Sequence, residues 1–179
     1  MFFPRVALAG PLDPGPATRH LGNMNELPSR DLSYMGLALA EAKAAARASE
    51  VPVGAVIVDP GTGHVLTSAG NRVESWADPT AHAEVLAIRA ACSILGTPRL
   101  AGYDLYVTLE PCALCAAAIS FARLRRVYFG AYDPKGGAVD HGPRWFEQPT
   151  CLHKPEVIGG INERACGQEL QQFFQKLRL

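Results

Sequence analysis

The sequence predicts an α/β protein, built as a three-layer α/β/α sandwich with a central five-stranded mixed sheet. Helical patterns alternate along the chain with short runs rich in Val and Ile, which is typical of helices that cover both faces of a sheet. The first two predicted strands form a hairpin, so the sheet is mixed rather than wholly parallel. The length of 179 residues suggests one domain that can bury a full hydrophobic core.

The first 30 residues differ in composition from the rest of the chain. They carry five prolines and several glycines, and neither a helical nor a strand period survives among them. A segment of this kind has little apolar surface with which to offset the entropy of ordering. We therefore predict a flexible N-terminal extension over residues 1–30 and a folded domain over residues 31–179.

A helix and a hairpin open the folded domain. Asp31 or Ser33 can cap the helix, which is predicted over residues 31–49 because its apolar residues recur at helical spacing. The run over 51–58 is rich in Val and Ile and predicts a strand. A turn of proline and glycine then leads into a returning strand over 64–68.

A second helix and a third strand follow the hairpin. Polar residues over 71–79 predict a loop, and Thr80 is the predicted cap of a helix over 81–95 that carries one apolar stripe. The apolar run over 104–109 predicts the third strand, which Pro111 ends.

The last third of the domain alternates in the same way. A third helix is predicted over 112–122 and a fourth strand over 126–130. Glycines and prolines predict a long loop over 133–150. A short fifth strand over 156–158 and a final helix over 163–177 complete the sandwich.

Charge and composition exclude several classes of function. The 17 basic and 17 acidic residues give no net charge, so any contact with nucleic acid must come from a local basic patch. No apolar run approaches the roughly 18 residues of a membrane helix, and Pro4 and Arg5 interrupt the short apolar N-terminus. Five cysteines with one close pair do not form a disulfide pattern. We therefore predict a cytoplasmic protein without membrane contact.

Three residues form a candidate zinc site. Cys112 and Cys115 are three residues apart at a predicted helix start, where they share a face and the helix dipole favours thiolates. Such a pair alone is more often redox-active or structural. His82, at another helix start, offers a third ligand. A structural zinc site uses four protein ligands, whereas a catalytic site leaves one position for water, so three ligands predict a catalytic zinc ion.

Glu84 is the candidate catalytic residue. Residues two apart on a helix do not face each other, but Glu84 and His82 can both approach a water molecule beyond the helix end. Glu84 could there take a proton from zinc-activated water and pass it to a substrate. Alone, Glu84 is better explained as a solvated helix residue. The prediction rests on its conjunction with the three ligands.

This conjunction carries a resemblance to known enzymes. The order His-x-Glu and then Pro-Cys-x-x-Cys resembles the signature of the zinc-dependent nucleobase deaminases, in the cytidine deaminase-like superfamily. From about residue 31 to its end, the chain resembles the bacterial tRNA-specific adenosine deaminases. The matching stretches are residues 51–55, 70–72, 78–84, 106–112 and 127–131, the Asp133-x-Lys135-x-Gly137 segment and the Phe173-Phe174 pair.

The resemblance implies a reaction, a cofactor and partners. The reaction would be hydrolytic deamination of adenosine to inosine at the wobble position of tRNA, with Glu84 as the proton shuttle. One Zn²⁺ per subunit would be bound by His82, Cys112 and Cys115. The implied partners are the tRNA anticodon stem-loop and a second copy of the chain in a homodimer.

The resemblance also implies substrate-binding residues. Asn71 would hold the target nucleotide, and Asp133 and Lys135 would line the nucleic-acid side of the pocket. Each could instead serve only a turn, since Asn and Asp are common there. The loop over 138–146 departs from the family pattern, in which a small-residue segment with Gly-Ser follows Gly137. This departure bears on RNA contact and not on the zinc site.

Two rival functions remain open on the sequence. The first is a deaminase of a free base or mononucleotide, guanine or cytosine, because the stretch over 79–84 is shared across the superfamily and the chain has no net charge. The second is a zinc-stapled module that binds RNA without chemistry. Glu84 and the missing fourth ligand argue against the second rival.

Overall fold

The computed structural model describes residues 19–20 and 29–177. A 3-10 helix, Trp145–Glu147, lies in the loop after the fifth strand. The other elements, in chain order, are β1 (Arg19–His20), α1 (Ser29–Arg47), β2 (Gly54–Val58), β3 (Val65–Gly70), α2 (Val73–Trp76), α3 (Ala83–Leu95), β4 (Asp104–Leu109), α4 (Ala113–Ala122), β5 (Arg126–Ala131), β6 (Glu156–Gly159) and α5 (Glu163–Lys176).

The sheet has the strand order β1-β6-β5-β4-β2-β3. Strand β2 pairs antiparallel with β3 and with β4, whereas β4, β5 and β6 are parallel to one another. The predicted five-stranded mixed sheet is confirmed in β2 to β6. Strand β1 adds a two-residue parallel pairing at the β6 edge.

Both faces of the sheet are covered by helices, which confirms the three-layer sandwich. In β2, Ala55 and Ile57 belong to the core that includes residues of α3 and α4, whereas Val56 and Val58 pack in the core with residues of α1 and α5. Successive side chains of a strand point to opposite faces, so a strand buried on both faces is apolar at every position. This is why β2 reads as an unbroken run of small and β-branched residues.

Helix α1 lies directly on β2. A Cβ atom at Gly54 would stand 2.0 Å from the carbonyl oxygen of Ala38 and 2.6 Å from the backbone nitrogen of Ala42. No side chain fits there, and Ala38 and Ala42 are fully buried. Small residues on both elements therefore set the close approach of helix and strand.

The predicted caps of α1 are wrong. The helix begins at Ser29, so Asp31 and Ser33 lie inside it. The buried Asp31 carboxylate accepts a hydrogen bond from the Tyr106 hydroxyl at 2.7 Å. A buried hydroxyl needs an acceptor. The Asp31 carboxylate therefore bonds to Tyr106 and does not cap the helix, and local sequence does not reveal this tertiary contact.

The topology brings three strand ends to one edge of the sheet. Strands β3, β4 and β5 run in the same direction, since β2 is antiparallel to both β3 and β4 and β4 is parallel to β5. Asn71, Cys112 and Asp133 each follow the end of one of these strands within three residues. Ligand sites of α/β sheets lie at this edge, where successive strands end.

Part of the predicted organisation falls on residues that the structure does not describe. The extension predicted over residues 1–30 lies outside the described residues except for Arg19–His20, which form β1, and for Ser29 and Arg30, which begin α1. Within the described part of the chain, no helix combines the length and apolar character needed to cross a membrane.

Candidate active site

Two helix starts meet at this edge of the sheet. His82 and Cys112 are the N-cap residues of α3 and α4, and neither side chain caps its own helix. The Nδ1 atom of His82 lies 3.5 Å from the Sγ atom of Cys112 and 3.4 Å from that of Cys115. The ligand atoms of the three residues lie within 4.8 Å of one another, so the predicted group could hold one metal ion.

The donor set fits zinc. Two thiolates and one imidazole are the soft and borderline ligands that select zinc over magnesium or calcium. Hydrogen bonds from the Cys115 thiol and from His82 lower the pKa of the Cys112 thiol to about 4. A lowered pKa favours the thiolate, which is the form that binds metal. Zinc is the cofactor that this site and the family both indicate.

Glu84 lies beside this group. It occupies the first turn of α3 and is 4% exposed. Burial raises the pKa of the Glu84 carboxyl, and the negative charge of Cys112 adds to the rise. A carboxyl group whose pKa is raised can both accept and return a proton. The arrangement therefore provides an acid–base group next to a metal site.

A cavity of about 270 Å³ opens onto these groups. It is near the small end of the range for ligand pockets, which is suitable for a single base. Most of the predicted site residues line this cavity, namely Asn71, His82, Glu84, Cys112 and Asp133. Cys115 is fully buried. The structure thus brings the predicted catalytic and metal-binding side chains together.

Asn71 lines the cavity and also makes a hydrogen bond within the protein. Its side-chain oxygen accepts the backbone N–H of Ala83 at 2.8 Å, which satisfies a donor at the start of α3. The predicted cap, Thr80, is wrong, because the helix begins at Ala83 and Thr80 bonds to Asp78 instead. The long-range contact of Asn71 leaves the side chain of His82 available to the cysteines.

Asp133 lines the cavity, and Lys135 lines a groove next to it. One Asp133 oxygen accepts the backbone N–H groups of Lys135 and Gly136 at 3.0 and 3.1 Å, so the residue stabilises a turn and lines the cavity at once. Lys135 lines an adjoining groove of about 720 Å³, which also contains Asp133 and Phe174. The two predicted substrate contacts are therefore divided between the cavity and the groove.

Two buried carboxylates beside the cavity accept backbone hydrogen bonds. Glu50 is fully buried, and its oxygens accept the backbone N–H groups of Ser75 and Glu74 at 2.7 and 3.1 Å. Burial alone would raise the pKa of Glu50, but these hydrogen bonds lower it. Burial likewise opposes ionisation of Glu110, yet hydrogen bonds led by the N–H of Asp133 lower its pKa. No spacing in the sequence marks either residue.

Two of the three arginines that follow α4 pair with carboxylates. The sequence leaves two readings for Arg123, Arg125 and Arg126, a helix-dipole role and phosphate contact. No basic residue lies in the last turn of α4. Arg125 binds Asp104 through two nitrogens at 2.8 and 2.6 Å, and Arg126 binds Glu156. Arg125 and Arg126 are thus each paired with a carboxylate of the neighbouring strand region.

Known proteins resemble the chain over most of its length. The family described as "Cytidine and deoxycytidylate deaminase zinc-binding region" matches residues 28–131. A protein named tRNA-specific adenosine deaminase from Agrobacterium fabrum is 56% identical over 82% of this chain and 95% of its own length. A solved structure from a study of A-to-I editing by tRNA:A34 deaminases at the wobble position of transfer RNA is 56% identical, with a TM-score of 0.75, over 77% of this chain and 99% of that one.

A guanine deaminase is also similar. The structure of the Bacillus subtilis enzyme is 40% identical with a TM-score of 0.53, but it covers only 56% of this chain and 63% of that one. The adenosine deaminases have a higher sequence identity to the chain, and they match a larger share of it.

The fold and the His-Cys-Cys group define a zinc-dependent deaminase, a hydrolase of the cytidine deaminase-like class. This confirms the predicted class and cofactor. Within that class, the chain belongs to the family of tRNA-specific adenosine deaminases.

Proposed function

We propose that this protein hydrolyses adenosine to inosine at the wobble position of tRNA. The observation that carries the proposal is a base-sized cavity on which Glu84 and the His-Cys-Cys group converge, in a chain 56% identical to a tRNA-specific adenosine deaminase. The folded domain, which begins with α1 at Ser29, performs the reaction.

The reaction replaces a C–N bond by a C–O bond. Water and adenosine give inosine and ammonia. Zinc, when bound by His82, Cys112 and Cys115, supplies the Lewis acidity that lowers the pKa of water. The Glu84 carboxylate takes one proton from the water and passes it to the ring nitrogen of the base. Glu84 then carries a second proton to the departing amine, which leaves as ammonia.

The remaining site residues bind and orient the base. The target base leaves its stack to enter the cavity. Asn71 is fixed by the N–H of Ala83, so its amide group is held in one orientation for hydrogen bonding to the nucleotide. Asp133 lies on the cavity wall, and Lys135 lies on the adjoining groove, where its ammonium group can meet a phosphate.

The groove supports a nucleic-acid substrate over a free base. It shares Val51, Leu109, Asp133 and Gly136 with the cavity, so an extended ligand can occupy both. Phe174 lines the groove and is 43% exposed, which provides an aromatic surface for a neighbouring base. The anticodon stem-loop, with unpaired bases next to the wobble position, is the partner that fits this pair of sites.

We also propose that the protein acts as a homodimer in the cytoplasm. Leu114 and Phe121 lie seven residues apart on α4, the helix that begins at the metal site, and are 41% and 68% exposed. A second copy that covers this apolar face would lie beside the active site. Light scattering should give twice the chain mass of 19.2 kDa. A monomer mass at the concentration of the activity assay would contradict the dimer.

A guanine deaminase is the alternative that a specific observation favours, because the Bacillus subtilis structure resembles the chain at 40% identity. Ammonia release separates the candidates. The zinc-loaded protein is assayed with an RNA stem-loop that carries adenosine at the wobble position, with the same stem-loop carrying guanosine there, and with free guanine and cytosine. We expect ammonia and inosine from the adenosine stem-loop alone.

Two results would contradict the proposed function. Faster release from guanine or cytosine than from the adenosine stem-loop would assign the protein to the free-base deaminases. Stem-loop binding without ammonia from any substrate would assign it to the non-enzymatic zinc modules.

A further inference from the structure

The loop over residues 133–141 forms one rim of the cavity. Its first part lines the cavity through Asp133 and Gly136. Its middle is joined to the segment before α4, since the N–H of Ala138 donates to the carbonyl oxygen of Pro111 at 2.9 Å. The shape of this loop therefore determines where the rim stands relative to the metal site.

A single carboxylate holds the loop in this shape. One oxygen of Glu110 accepts the N–H of Asp133 at 3.0 Å and Nδ1–H of His141 at 2.7 Å. The other oxygen accepts the N–H groups of Val139, Asp140 and His141 at 3.2, 2.9 and 2.9 Å. Five donors from both ends of the loop thus converge on one side chain, and hydrogen bonds to an ionised acceptor are the strong kind.

The packing around this carboxylate is tight. The side chain of Glu110 has no exposed surface. A Cβ atom at Gly137 would stand 2.5 Å from the Glu110 carboxyl carbon and 2.5 Å from the carbonyl oxygen of Asp133. The loop backbone at Gly137 thus lies in direct contact with the carboxylate.

His141 is the last residue of this loop. Its ring is 36% exposed on the outer side, while Nδ1 faces Glu110. It also stands edge-on to the ring of Tyr132, with 6.1 Å between the ring centroids. His141 therefore adds a side-chain donor to the backbone donors of the loop.

We propose that Glu110 is a positioning residue that preforms the loop over 133–141 as the rim of the substrate site, with His141 as an added anchor. The inference rests on the proposed function. Glu110 acts on the RNA through the loop, in particular through Asp133, and takes no part in proton transfer. A rim that is already ordered loses less entropy when the stem-loop binds, so Glu110 contributes to affinity.

The test compares the zinc-loaded full chain with its Glu110→Gln variant. Glutamine keeps the size of the side chain but turns an NH₂ group towards the backbone donors. Hydrogen exchange of the free protein should show protected amides over 139–141 in the unaltered protein and loss of that protection in the variant. The KM for the stem-loop should rise by about tenfold or more, because several hydrogen bonds to a charged acceptor are weakened. The kcat should fall by a smaller factor, with zinc still bound.

Three further variants sharpen the comparison. His141→Ala removes one donor from a half-exposed ring and should raise KM by a smaller factor with a normal fold. Gly137→Ala should reproduce the Glu110→Gln result, because it displaces the loop from the same carboxylate. Glu147→Gln is the matched control, since Glu147 is an exposed partner of Arg144 outside the loop. It should leave exchange and KM unaltered.

Several outcomes would overturn the inference. Fast exchange of amides 139–141 in the unaltered protein would mean that the loop is not preformed. Loss of zinc together with equal losses in kcat and kcat/KM would mean that Glu110 serves the metal site. If the unaltered protein does not deaminate the stem-loop, the proposed function fails. The exchange data still decide whether Glu110 orders the loop, and stem-loop affinity decides whether that order serves RNA binding.

Discussion

Replacing Glu84 with Gln should abolish nearly all deaminase activity while the protein keeps its zinc. The amide has the size of the buried carboxyl but cannot accept and return a proton. The loss of a general acid–base group lowers rates by about 10²–10⁴-fold, and we expect the upper end of that range because Glu84 serves two proton transfers. The measurements are kcat for ammonia release from the adenosine stem-loop and zinc content by elemental analysis.

A matched control keeps this result specific. Glu169 is a carboxylate on α5 that pairs with Lys43 on the outside of the sandwich, 3.5 Å away. Glu169→Gln should retain full activity and full zinc content. If Glu84→Gln retained more than a few per cent of activity, Glu84 would not be the proton shuttle, while loss of zinc would make it a support of the metal site.

Replacing Cys112 with Ser should remove the metal. A hydroxyl is a poor substitute for a thiolate, and only two ligands of the group would remain. We expect zinc content to fall to a small fraction of one ion per chain. Activity should fall by more than about 10³-fold, because Lewis-acid stabilisation contributes several kcal/mol to such reactions. His82→Ala should give the same two results from the other helix.

Cys92 provides the control for this pair. It lies near the end of α3, half-buried and remote from the His-Cys-Cys group. Cys92→Ser should keep one zinc ion per chain and nearly full activity. A Cys112→Ser protein with full zinc content would show that the ion is held elsewhere, and the assignment of all three ligands would then be wrong.

Local patterns predicted the elements of the sandwich well, because the apolar pattern of a helix or strand reflects which of its faces are buried. The apolar run at Val56 and its neighbours reports a strand covered on both faces, and the spacing of Cys112 and Cys115 reports a shared helical position. The contact of His82 with Cys112, 30 residues away, could be predicted because both residues lie at helix starts that the topology places at one edge of the sheet.

Most of the contacts that local patterns missed join residues that are well separated along the chain. Asp31 is a residue type that is typical of helix caps, but its partner is Tyr106, 75 residues away. Thr80 has the composition of a cap as well, but Asn71 satisfies the donor at the start of α3. The donors gathered by Glu110 come from a loop more than 20 residues further on. Such carboxylates are ordinary surface residues by sequence and become buried acceptors only in the folded chain.

The hydrogen bond that the Ala83 N–H donates to the Asn71 side chain links the proposed base contact to the scaffold. Its oxygen anchors the first turn of the helix that presents His82, and under the proposed function its nitrogen would meet the nucleotide. A change at this position would disturb recognition and also tilt a metal ligand. A kinetic defect of an Asn71 variant would therefore combine an effect on substrate binding with an effect on the metal site. Metal occupancy has to be measured separately before the defect is assigned to a loss of substrate affinity.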